Sequence, residues 1–412
     1  MPADLPTAPI DVDRARADTP GCEMVVHLNH AGTSLAPRPV LDAQIGWLRA
    51  EAQTGGYELA ADRDADHRAA YDEVAALVGA ERDEIALMEN ATFAWHQAFW
   101  SLPLRPGDRV LTCTVEYASS YLSYLQAERR RGVAIEVIPD DEDGQLSVES
   151  LARLLDDGRA PVGLVAVTQA PTNGGLVNPV AEAGALCREA GVPFLLDACQ
   201  SVGQMPVDVD EIGCDLLSAT GRKFLRAPRG TGFLYVRRSL LERLDRVGAE
   251  PAFLDLLGAD WVAPDGYEVR RDARRFENWE SNLAAVAGLR AAVAYARSWG
   301  LDAIAERVGT LAESLRGRLA EVPGVRVHDL GRQRSGIVTF TVDGVAADDV
   351  QARLRRHGIN VSVSEPSSTR LDAERRRLPP LVRASVHYVT TDAELDQLAA
   401  TVGDMVSSSA RP

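Results

Sequence analysis

Lys223 is the only lysine among 412 residues, and every other basic residue is an arginine. A bias that trades lysine for arginine can act wherever positive charge alone is required. It spares a position that needs an amine: a guanidinium keeps its proton and cannot condense with an aldehyde, whereas an ammonium can be tuned to deprotonate and attack a carbonyl. Lys223 stands in SATGRKF, after a strand-like run and before the glycine-punctuated RAPRGTGFLYV. About one βα unit earlier, FLLDACQ sets Asp197 and Gln200 at the end of another such run. A carboxylate there would pair with the protonated nitrogen of a pyridine ring and keep that ring an electron sink. Earlier still, MENATFAW at 88–95 opens a helix, with Asn90 as N-cap and Ala91 and Thr92 offering backbone N–H groups to an anion such as phosphate. Each feature alone is commonplace, a turn aspartate or a helix cap. Their order and spacing around a single lysine point jointly to an amine, a ring-nitrogen partner and a phosphate cradle.

Such groups must be held at strand ends, and the sequence supplies the strands. From about Asn29 to residue 240, β-branched runs alternate with amphipathic helical stretches. Strands are expected at 85–88, 109–113, 134–139, 162–168, 193–198, 215–220 and 232–236, with a helix at 180–191 closed by Gly191. This βα alternation predicts an α/β fold, a mainly parallel sheet covered on both faces with ligands outside the carboxyl ends of the strands. From about 275 the pattern changes to a long helical stretch at 281–320, strands at 324–329 and 336–342, a helix at 346–357, and strands at 359–364 and 382–388. The expected organisation is an N-terminal arm, 1–28, a large domain, 29–274, and a smaller α+β domain, 275–412. There is no internal repeat, and SEPSSTRLDAERRRLPP at 364–380 reads as a long polar loop.

Composition narrows the function. A net charge of −16 and 46% hydrophobic residues describe a globular chain that would repel nucleic-acid backbones and anionic lipid. No run is long and apolar enough to span a bilayer, and the N-terminus lacks a signal-peptide pattern, so a cytoplasmic location is expected. Cys22, Cys113, Cys187, Cys199 and Cys214 are scattered, odd in number and without CxxC spacing, which disfavours disulfides and zinc; buried apolar roles are expected.

Over nearly its whole length the chain resembles the class V aminotransferase group of fold-type I pyridoxal-phosphate enzymes. HLNHAGTSLAP at 27–37 is similar to the family's N-terminal substrate segment, ENATFAW to its phosphate loop, and EYASSY at 116–121 to the segment that stacks on the pyridine ring. PTNGGLVNP at 171–179, DACQ, TGRK and LVRASVHYVTT at 381–391 resemble its remaining motifs. The resemblance implies a bound pyridoxal 5'-phosphate carried by Lys223 as an imine. It further implies cofactor contacts from Ala91, Thr92, Tyr117, Thr172, Asp197, Gln200, Thr220 and Arg222, with Arg222 in place of the usual histidine. Arg383 would grip a substrate carboxylate, which suits a bidentate guanidinium, and His30 and Tyr57 would line the substrate pocket. A homodimer with shared sites is implied as well.

Departures from the family refine the expectation. A cysteine desulfurase carries a nucleophilic cysteine on a small-domain loop, and INVSVSEPSST at 359–369 has none. WESN at 279–282 puts Glu280 where the family has a phosphate-binding threonine from the partner. With TGGYELA at 54–60, the Glu-Tyr at 116–117 and Arg222, these features resemble the subgroup of hercynylcysteine sulfoxide lyase and of C–S processing enzymes in lincosamide-type antibiotic pathways. The expected reaction is β-elimination from an S-substituted cysteine or its sulfoxide, giving thiol, pyruvate and ammonia. Oxygen-dependent decarboxylation of an S-cysteinyl conjugate, epimerisation or transamination, and a silent binding protein on the same fold are the alternatives. Arginines near 270–275 and 370–377 are candidate contacts for acidic substrates, or solvated faces.

Overall fold

The computed structural model describes residues 9–409, so the first eight residues of the expected arm and the last three of the chain lie outside the described residues. Seven strands form the main sheet: β1 (Ile85–Met88), β2 (Arg109–Thr112), β3 (Ala134–Val137), β4 (Val162–Thr168), β5 (Phe194–Asp197), β6 (Leu216–Thr220) and β7 (Gly232–Val236). Their order is β1-β7-β6-β5-β4-β2-β3, and β7 alone runs antiparallel to its neighbours. FLLD, LLSAT and GFLYV are buried at every position, because helices cover both faces and leave no wet side to select polar residues.

Local signals fix the helix ends. Asn90 caps α3 (Ala91–Ser101) by accepting the Phe93 N–H at 2.9 Å. Gly132 and Gly191 terminate α4 (Ala118–Arg131) and α5 (Val180–Ala190) at φ of 70° and 66°, a left-handed turn that glycine adopts without strain. On one side of the molecule α1 (Arg38–Thr54), α2 (Asp64–Val78) and α6 (Leu283–Trp299) pack together.

The helical stretch expected at 281–320 is two helices, α6 and α7 (Leu301–Ala320), divided at Gly300, whose φ is 83°. The packing partner changes at this glycine: α7 lies on a four-stranded antiparallel sheet of β8 (Val325–Val327), β9 (Ile337–Val342), β10 (Ser362–Ser364) and β11 (Leu381–Ser385), ordered β8-β9-β11-β10. Helices α8 (Ala347–Arg356) and α9 (Asp392–Ser409) complete this part. Val26–His27 pairs with Ile359–Asn360, and Asn29 bridges to Ser385, so the N-terminal segment is stitched to the C-terminal sheet. The polar stretch 364–380 is not an open loop: it holds a 3-10 turn at Pro366–Thr369 and a helix at Arg370–Arg376, with Arg375 paired to Asp140 at 2.6 Å.

Arg226 joins the parts. Its side chain is 2% exposed and its φ is 62°. It donates to the Leu35 carbonyl at 2.9 Å, to the Tyr388 hydroxyl at 2.7 Å and to Thr19 Oγ1. One guanidinium thus ties the Lys223 loop to the N-terminal arm and the C-terminal region. Charged hydrogen bonds of this kind contribute about 1.5–3 kcal/mol each. We expect Arg226→Met, which keeps volume and loses all three, to be destabilised by about 3 kcal/mol in urea unfolding. An unchanged midpoint would contradict the clamp.

Candidate active site

Strand register brings the central groups together. Thr168, the last residue of β4, is the register partner of Asp197, the last of β5, and Asp197 is paired with Ser218 of β6. β6 ends at Thr220, and the chain turns back through Gly221 and Arg222 to Lys223. A cavity of about 210 Å³ opens at this edge of the sheet. Ala91 and Thr92 line it from the first turn of α3, and Tyr117 from the start of α4. Thr172, Asp197, Gln200, Thr220, Arg222 and Lys223 complete the nine expected cofactor contacts in its wall.

Lys223 Nζ lies 3.2 Å from Cys199 Sγ. Asp197 accepts the Cys199 N–H at 2.8 Å; burial pushes its carboxyl above the usual range, while that bond and the Lys223 charge pull it back. Gln200 donates to Thr172 Oγ1 and to the Ala31 carbonyl, each at 3.2 Å, and its Oε1 is buried without a partner. Thr220 donates to the Thr231 carbonyl at 3.2 Å. Arg222 leans away toward the N-terminal segment, donating to the Gly32 carbonyl.

Three expected substrate contacts fare differently. Arg383 is 7% exposed and sits just behind the wall, donating to Thr172 Oγ1 at 2.6 Å and to the Thr172 carbonyl at 2.9 Å. Its Nε has no partner, and burial, with the like charge of Arg222, lowers its pKa to about 10. A buried guanidinium without a carboxylate is poised for an anionic ligand. His30 is fully buried away from the cavity, bonded to Ser34 at 2.8 Å and packed edge-on against His27 and His387. Its expected place in the pocket is corrected: the two imidazoles and Ser34 packed against it leave it no exposed surface, and it is not in the cavity wall. Tyr57 stands 80% exposed on a short helix, Gly56–Asp62, outside the cavity of its own chain. Arg270, Arg274, Arg275, Arg370, Arg375 and Arg376 each pair with a carboxylate of the chain, so they are structural ties.

Two contributors had no assigned role in the sequence. Cys199, inside DACQ, is in the cavity wall rather than a spectator in the core. Glu116 is 3% exposed and receives four hydrogen bonds: from Thr112 Oγ1, Thr168 Oγ1 and the Tyr117 N–H at 2.8 Å, and from the Tyr124 hydroxyl at 3.0 Å. It ties the ends of β2 and β4 to the residue at the mouth. Burial first, then the charge of Asp197, pushes its carboxyl up to about 7.

The class V aminotransferase family model matches residues 26–398. A probable cysteine desulfurase of Halobacterium salinarum is 32% identical over 417 residues, covering 96% of this chain and 97% of its own. The apo cysteine desulfurase of Thermococcus onnurineus superposes with a TM-score of 0.88 at 25% identity, over 96% of this chain and 98% of its own. A cystine C–S lyase in complex with cysteine persulfide shares the fold, with a TM-score of 0.82 at 23% identity over 94% and 99% of the two chains. The chain belongs to the class V aminotransferase family. It is a pyridoxal 5'-phosphate-dependent enzyme of lyase type, and curated relatives from Halobacterium salinarum and Haloferax volcanii are named as a probable cysteine desulfurase and a cysteine desulfurase. The cavity fits that cofactor: an amine, a buried carboxylate, an unpartnered amide oxygen and a capped helix N-terminus converge on it.

Because folded Glu116 holds its proton more tightly than an unfolded glutamate, it favours the folded state below pH 4.5 and loses that advantage as pH climbs through 7. We expect the cofactor-free protein to lose up to about 3 kcal/mol from this group over that interval. Glu116→Gln should flatten the slope in urea titrations; an identical slope would show that the carboxyl titrates normally.

Proposed function

We propose that the enzyme cleaves the C–S bond of an S-substituted cysteine, thioether or sulfoxide, by β-elimination. The observation that carries this reading is the pairing of a complete lysine–aspartate cavity with a 359–369 segment, INVSVSEPSST, that has no cysteine to accept sulfur. The relatives' names support sulfur chemistry on cysteine, and the missing acceptor favours direct release of the sulfur substituent.

Pyridoxal phosphate, when bound, supplies an aldehyde that captures amines and a ring that absorbs the electron pair left by a lost α-proton. Lys223 Nζ would hold the cofactor and, when free, is the amine placed to take the substrate's α-proton. The Asp197 carboxylate would hold the ring nitrogen protonated, and Tyr117, in the same wall, would offer its ring as an apolar surface to the cofactor. Arg383 grips the α-carboxylate through the guanidinium face not occupied by Thr172. The β-sulfur departs with the C–S electron pair as a thiolate, or as a sulfenic species from a sulfoxide, and water completes the conversion to pyruvate and ammonia. We also propose a homodimer. The apolar residues Ile45, Leu48, Trp261 and Trp279 are 42%, 53%, 78% and 53% exposed, and a second copy would cover them and bring Tyr57 to a neighbouring site.

The test is to mix the loaded enzyme with a panel of S-substituted cysteines, their sulfoxides and cysteine itself, following pyruvate, thiol, persulfide, CO2 and oxygen. Pyruvate with free thiol is expected. Persulfide from cysteine would return the chain to desulfurase chemistry, and oxygen uptake with CO2 would move it to oxidative decarboxylation. With the best substrate, Asp197→Ala should lower kcat by about 10³-fold, on the order of 4 kcal/mol of transition-state stabilisation. Arg383→Leu should raise KM by about 100-fold, the cost of an unpaired buried carboxylate. Effects below threefold would remove these residues from their roles.

A further inference from the structure

Beside the cofactor cavity lies a larger one of about 570 Å³, and Arg222 forms part of both walls. Arg229, Arg355 and the N-terminal segment around Thr33 supply much of the remainder, and no carboxylate lines it. Arg222 and Arg229 converge on a single oxygen: their guanidinium nitrogens stand 3.4 and 3.1 Å from Thr33 Oγ1. Two like charges drawn to one hydroxyl repel each other unless an anion lies between or beside them.

Net charge is −16, so carboxylates are abundant elsewhere in the chain. No ion pair to Arg222, Arg229 or Arg355 is formed among the described residues. Arg222 also raises the local positive potential at Arg383. Arg222 is common to both walls, so positive charge is present beside the cofactor cavity, where Arg383 bonds Thr172, and in the second cavity at Arg229 and Arg355.

We propose that the second cavity is the subsite for the distal end of the substrate, and that the sulfur substituent accepted there carries an anionic group, a carboxylate or a sulfonate. This rests on the reading of the enzyme as one that processes S-substituted cysteines. Arg229 and Arg355 are exposed, so the attraction is moderate and screened by salt.

The experiment titrates the loaded enzyme with a matched pair, S-(carboxyalkyl)cysteine and its carboxamide. Binding is read from the change in cofactor absorbance, which needs only capture of the amino group, and released thiol is measured separately. The acid is expected to bind about tenfold more tightly than the amide. That ratio should fall toward one in Arg229→Gln/Arg355→Gln and at high salt, and Arg355→Glu should favour the amide. Equal affinities in the wild type, or a preference that survives both glutamine substitutions, would overturn the subsite. An acid preference without thiol release would leave the subsite standing and sink only the C–S reading.

Discussion

β4 and β5 end in register at Thr168 and Asp197 while the neighbouring parallel β6 runs two residues further to Thr220, and that alignment sets the positions of Thr168, Asp197 and the Lys223 loop. Register is a strict constraint because a shift of one residue turns every side chain to the other face. Here the strands are buried on both faces, so a slip would drive Asp197 into an apolar layer. The apolar runs of β4, β5 and β6 thus do more than fill the core: they fix the level at which the polar residues emerge. Arg226, three residues past the lysine, carries the constraint outward to Leu35 and Tyr388.

The site concentrates charge that has been taken out of water. Asp197 and Glu116 are carboxylates whose burial raises their proton affinity, Asp197's charge adding to the effect on Glu116, and Arg383 is a buried cation without a carboxylate. Desolvation makes each of these costly in an empty cavity. A ligand bearing a ring cation, a phosphate and a carboxylate answers them together, so ligand binding and stability are coupled. Glu116 is placed to transmit that coupling, since its four donors come from β2, β4, the Tyr117 backbone and Tyr124 of α4.

Much of the fold was legible because strand composition and helix capping are local. Six of the seven large-sheet strands lie within a residue of the expected bounds, and the Ala134 strand ends two residues early, where Ile138 and Pro139 leave the ladder. That the nine residues expected to contact a cofactor would meet in one cavity was legible because their motifs sit at strand ends and helix starts of a βα fold. What stayed hidden depends on distant partners. His30 sits in a substrate-like motif, yet packing against His27 and His387 removes it from the pocket. The break at Gly300 interrupts an otherwise continuous helical pattern, and the 364–380 stretch is ordered by contacts such as Arg375 with Asp140 that no local signal announces. The second cavity could not be read at all, since its arginines come from the loop after β6 and from α8, far apart in the chain.

The central claim is that the sole lysine carries the cofactor. Reducing the loaded enzyme with borohydride and mapping the pyridoxyl mass on its peptides tests it most directly, because the chain offers no other side-chain amine. One pyridoxyl group per chain is expected, on the peptide containing Lys223, and none in Lys223→Ala. Label confined to the N-terminal amine, or label that persists in the variant, would contradict it.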